Sequence, residues 1–126
     1  MPGFQADVMG AGMSGGAASA INGDRLASQT ATGTVQADAF QLTASSTEFT
    51  TVASGTGARL PGTTSRVVGG DIVAVFNQGA NALLVYPPVG SRIGTAATNA
   101  SVSVAAGKAA LFAARGDGSY FVFLSA

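Results

Sequence analysis

The chain has no cysteine, no histidine and no tryptophan among its 126 residues. Without cysteine there is no disulfide and no thiolate metal ligand, and the redox compartment is left open. Without histidine the commonest general base and the commonest imidazole ligand are both missing. Charge is scarce as well: 10% of residues are charged, six basic against six acidic, for a net charge of zero. That balance lays down no electrostatic footprint for nucleic acid or for an anionic membrane. No apolar run approaches the ~18–20 residues of a membrane helix. The first residues also lack the basic stretch followed by an apolar stretch that marks a secretory leader. Neither a nucleic acid nor a membrane is expected as a partner, and no cofactor is expected.

The same scarcity bears on catalysis. Serines and threonines abound, but no histidine is there to activate one as a nucleophile. Asp24, Asp38, Glu48, Asp71 and Asp117 are scattered, mostly at strand ends and turns, where capping explains them better than paired acid–base work. Gly10-Ala-Gly-Met-Ser-Gly fits a dinucleotide fingerprint, but it lacks the preceding strand and following helix that such a site needs. Arg115-Gly-Asp matches an adhesion tripeptide, yet Gly116-Asp-Gly is also what a tight turn selects on backbone grounds. Asn99-Ala-Ser fits a glycosylation sequon without any sign of secretion. The reading is a chain that is not an enzyme.

What is present divides in two. Residues 1–34 are rich in Gly, Ala, Ser and Thr. Side chains that small bury too little area to offset the ~1–2 kcal/mol cost of ordering each residue's backbone. This stretch reads as an extended arm that orders against a partner. Phe4, Val8, Met9, Met13, Ile21 and Leu26 are its candidate anchors.

Residues 35–126 form a second unit, dense in β signals. A stretch from Thr34 to Leu42 shifts phase near Asp38, where a bulge or turn is expected. Residues 47–52 are β-branched and aromatic, and 54–57 read as a turn. Residues 58–60 run into Pro61-Gly, and 64–68 are a short strand or loop. Residues 71–77 are a strand, 78–81 a turn, and 82–86 a strand pairing back as a hairpin, stopped by Pro87-Pro. A short strand with loop covers 91–97. Residues 100–104, 108–114 and 119–125 complete the set, the last two joined by a tight turn at Gly116-Asp-Gly. No amphipathic helix is found. Short strands at this spacing predict an all-β fold, a β-sandwich or jelly-roll-like barrel with an extended N-terminal arm. The final strand carries large apolar groups on both faces, so both faces are expected to be covered. Tyr120, Phe121 and Phe123 are the candidate oligomer interface.

The run Asn77-Gln-Gly-Ala-Asn-Ala-Leu-Leu-Val-Tyr-Pro-Pro-Val-Gly-Ser-Arg-Ile, followed by Asn99-Ala-Ser-Val-Ser-Val-Ala-Ala-Gly-Lys-Ala-Ala-Leu-Phe and by Asp117-Gly-Ser-Tyr, resembles a β module of tailed-phage and prophage structural proteins. The likeness covers residues 52–126. It implies a virion structural protein, an all-β fold and a homotrimer. A low-charge β module with a small-residue arm suits obligate assembly in its own right. The expectation is therefore a capsid decoration (cement) or head-fibre protein on the capsid exterior. Its partners would be the major capsid protein or other virion proteins, and its arm would bind the shell. A tail, neck or baseplate component, or a short receptor-contacting fibre, is the alternative. A carbohydrate-binding module using Tyr86 or Tyr120 is a third reading.

Overall fold

The computed structural model describes residues 25–62 and 70–125. Among the described residues nine strands follow one another: β1 Arg25–Thr30, β2 Phe40–Gln41, β3 Ser46–Thr51, β4 Gly57–Arg59, β5 Ile72–Asn77, β6 Leu83–Tyr86, β7 Val102–Val104, β8 Ala109–Ala114 and β9 Tyr120–Leu124. They build two packed sheets, one ordered β1-β3-β5-β8-β9 and the other β2-β4-β6-β7. The fold is all-β.

The connectivity differs from a jelly roll, whose strands are antiparallel. From β1 to β6 the chain alternates between the sheets, and each return lays the new strand parallel to the last one in that sheet. Arg25 pairs with Ser46 and Ser46 with Ala74 in the larger sheet. Phe40 pairs with Ala58 and Ala58 with Val85 in the smaller. Parallel neighbours need a crossover, and here the crossover is a strand of the facing sheet rather than a helix. The result is a short two-layered parallel coil. Antiparallel β7, β8 and β9 then finish the two sheets.

The alternation of side chains produces the core. Phe49, Val73, Val75, Phe112 and Tyr120 point inward from the larger sheet and meet Ala58, Leu83, Val85 and Val104 from the smaller. Leu42 and Leu60, just past β2 and β4, complete it. Phe40 meets Phe49 edge-on, with ring centroids 5.3 Å apart. The phase shift expected near Asp38 is a single 3-10 turn over Gln36–Asp38. Asp38 Oδ1 accepts from the amides of Thr34 and Val35, both at 3.0 Å, and so fixes that turn.

Three expectations are corrected. Residues 82–86 do not pair back on 71–77, because β3 and β8 already occupy both edges of β5 and β6 joins the other sheet. The β module begins before residue 35: β1 runs alongside β3 as the edge strand, within the stretch read as an arm. Residues 91–97 form a loop rather than a strand, touching the ladder only through a bridge from Ile93 to Tyr120. The possible strand at 64–68 falls outside the described residues.

Candidate self-association face

The larger sheet has one face on the core and one turned outward. Cross-strand register gives the outward face its pattern. One row reads Ile72, Ala113, Phe121 and the next reads Ala74, Leu111, Phe123. A third joins Phe76 to Ala109. Small and large residues alternate along β5 and along β8, β9 presents Phe121 and Phe123 in succession, and none of the eight positions is polar. Phe123 is 65% exposed, Phe121 52%, Ile72 46% and Leu111 44%.

Toward β1 and β3 the same face becomes polar. Ser46 lies beside Ala74 and Glu48 beside Phe76, and Glu48 pairs with Arg25 at 3.6 Å. An exposed pair of this kind contributes ~0–1 kcal/mol. Scattered apolar surface residues need no explanation, but a contiguous uncharged patch rimmed by polar groups marks an interaction site.

At the other corner the Arg115 guanidinium lies over the Phe121 ring, 5.0 Å from its centroid. Such a contact at an exposed site is worth ~0.5–1 kcal/mol. Asp117 Oδ1 accepts from the Ser119 amide at 3.0 Å and from its hydroxyl at 2.5 Å. These bonds, helped by the nearby Arg115 charge, hold the Asp117 carboxyl below its ordinary pKa. Both charged ends of the Arg115-Gly-Asp tripeptide are therefore engaged locally. Asn99 is likewise engaged, its Oδ1 accepting from Gly90 N at 2.7 Å and from Gln36 Nε2 at 3.2 Å.

Phe121 and Phe123 stand together on the outward face, as their shared parity requires. Tyr120 does not join them. It has the opposite parity, is 2% exposed, and donates its hydroxyl to Pro61 O at 2.5 Å. Burial raises its pKa to about 12, with the Asp71 charge adding to the effect. Leu26 is half-buried in β1, opposite Thr47 of β3. Phe4, Val8, Met9, Met13 and Ile21 lie outside the described residues.

Ile72, Phe76 and Leu111 belong to the face and were not singled out in the sequence. Their signal was available in part: β5 and β8 carry apolar residues at both parities, as β9 does. Joining them into one patch needed the register.

The Asn-x-Gly-x-Asn portion of the phage-like run has a structural role. Asn77 is fully buried, and its Nδ2 donates to Asn81 O and Val104 O, both at 2.9 Å. Its Oδ1 accepts from Gly79 N at 2.9 Å. Asn81 donates to Val52 O at 2.9 Å. The motif turns the chain from one sheet to the other.

Among the described residues, no three His, Cys, Asp or Glu side chains come together as a metal site. No helix there is long and apolar enough to cross a membrane. The chain matches no protein family model, no curated protein and no solved structure.

Proposed function

We propose that this protein is a virion structural protein, a capsid decoration or head-fibre protein that binds the outer capsid surface as a homotrimer and stabilises the shell. The observation that carries the self-assembly half of this reading is the uncharged outward face of β5, β8 and β9, with Phe121 and Phe123 standing exposed on it. Burying that face between subunits removes apolar surface from water at ~25 cal/mol per Å². Zero net charge means that copies do not repel one another. The virion half rests on the resemblance carried by Asn81-Ala-Leu-Leu-Val-Tyr-Pro and its flanks. A trimer that binds assembled shell, and not free capsid subunits, stabilises the shell by linkage.

The test has two parts. The mass of the full chain in solution, measured by light scattering, is expected to be three times that of one subunit. A monomer at all concentrations would remove the assembly half. Binding to purified capsids is then compared between the full chain and a chain starting at Asp24, which keeps β1. The shorter chain is expected to trimerise but to lose the particle. Unchanged capsid binding would refute the role given to the preceding residues.

A further inference from the structure

We propose that the outward face of the smaller sheet is a binding site for a uronic-acid-bearing saccharide, with Arg59 taking the carboxylate and Tyr86 packing on the sugar ring. The site lies on the other sheet from the face of β5, β8 and β9, and it stands whether or not the chain self-associates.

The strand register builds the site. Gln41 of β2, Arg59 of β4 and Tyr86 of β6 stand in one cross-strand row. Ala58 and Val85, one residue earlier, are buried in the core, so Arg59 and Tyr86 take the outward face. Neighbouring strands lie ~4.8 Å apart, which makes the row ~10 Å long, about the length of a disaccharide. Tyr86 leans onto Gly57 of the neighbouring strand, where a Cβ would come 3.0 Å from its Cε2. Its hydroxyl donates to Thr34 O at 3.4 Å. The ring is thus held down across the sheet and only half-buried. A tyrosine so placed offers an apolar body beside a wet polar tip, which suits the C–H face and hydroxyl rim of a pyranose.

Charge selects the kind of sugar. Arg59 has no carboxylate partner among the described residues. Its Nε donates to Gln41 Oε1 at 2.9 Å and its Nη1 to Gln36 O at 3.4 Å. These bonds set the plane of the guanidinium and leave both N–H groups of Nη2 for a ligand. Gln41 Nε2 is itself committed to Leu42 O and Arg59 O, so Gln41 is a positioning residue. A fixed planar fork is the donor set that matches a carboxylate. Beside it, Gln36 Nε2 donates to Pro87 O at 2.8 Å and to Asn99 Oδ1 at 3.2 Å. That leaves Gln36 Oε1 as an acceptor and Asn99 Nδ2 as a donor, the two functions that sugar hydroxyls engage.

The experiment titrates the isotope-labelled full chain with trimers of galacturonate, glucuronate and mannuronate, following backbone amide shifts. Galactotriose and a tri-glutamate peptide serve as the neutral and the non-sugar probes. At least one uronide is expected to shift the amides of Gly57, Arg59, Tyr86 and Asn99, and the two other probes to bind at least ~10-fold more weakly. Arg59→Lys keeps the charge and loses the fork, and Tyr86→Leu keeps apolar bulk and loses the ring. Each is expected to weaken uronide binding at least ~10-fold. Leu111→Ser, on the outward face of the larger sheet, is expected to bind as the wild type does. No shift with any uronide, shifts centred elsewhere, or equal binding of the neutral or peptide probe would each overturn the proposal. Full affinity in Arg59→Lys would do the same. Should a variant unfold, the wild-type shift map and the comparison of probes still decide.

Discussion

Asn77, at the end of β5 in the larger sheet, donates its side-chain amide to the carbonyl of Val104, at the end of β7 in the smaller sheet, at 2.9 Å. One buried amide thus links the two layers where the chain crosses between them. Its other bonds go to Asn81 O and Gly79 N. Replacing it with leucine leaves two carbonyls and an amide without their partner. Leaving buried groups unpaired costs more than the bonds themselves contribute. Asn77→Leu is expected to lower stability by about 2–4 kcal/mol in urea unfolding. Asn81→Ala, which removes one bond at an exposed residue, is expected to cost about 1 kcal/mol. Equal effects would argue against the layer-linking role.

Gly79 gives a second test of the same corner. A Cβ there would lie 2.7 Å from Val52 Cβ and 2.8 Å from Val52 N. Backbone of the neighbouring segment cannot yield as a side-chain tip can. Gly79→Ala is expected to destabilise by about 1–3 kcal/mol, the range for overpacking. At Gly62 an added Cβ meets nothing within 4 Å, so Gly62→Ala is expected to be neutral or slightly stabilising. Thermal melts of the two variants check the contrast.

Tyr120 gives a pH dependence with a definite sign. Its folded pKa is raised from 10.0 to about 12, chiefly by burial. The folded chain therefore holds the phenolic proton more tightly than the unfolded chain. Stability is fully present below pH ~10 and falls as the pH rises from there toward ~12. Tyr120→Phe is expected to flatten that decline, although it forfeits the hydrogen bond to Pro61 O, worth about 0.5–1.5 kcal/mol. Urea midpoints between pH 8 and 12 measure it; an unchanged slope in the variant would assign the decline to other groups.

Asp117 works in the opposite direction. Its carboxyl is held below its ordinary pKa by Ser119, so what it contributes is present above pH ~4 and lost as the pH falls through the lowered value. Asp117→Asn is expected to speed hydrogen exchange at the Ser119 amide at neutral pH, with the sheet amides unaffected. Identical protection in the two proteins would show that Gly116 and Gly118, at φ +97° and +94°, hold the turn without help.

Much of the β architecture was legible along the chain. β-branched and aromatic content in residues 47–52 and the apolar runs within 71–77 and 108–114 marked strands, and Gly116-Asp-Gly marked a real hairpin between β8 and β9. Period two also separated Tyr120 from Phe121 and Phe123, yet it could not say which parity faced the core. The hairpin reading of residues 82–86 failed for a definite reason. Turn residues fix a change of direction, whereas the choice of sheet depends on which edges are already taken. The arm boundary missed β1 because Arg25–Thr30 has few large side chains. It is held by pairing with β3, and its register slips between Leu26 and Gln29, around Ser28 at φ +58°.

By itself, the sequence determined that this chain builds strands and short turns, lacks histidine and cysteine, and carries apolar residues on both sides of its last strand. These are properties of single segments, set by side-chain period and local backbone freedom. Only the tertiary structure decided that the strands wind as a parallel coil, that Tyr120 belongs to the core, and that Ile72, Leu111, Phe121 and Phe123 share one exposed face. Those outcomes depend on pairing between residues far apart in the chain, and pairing is fixed by which faces and edges remain open once the other strands are in place.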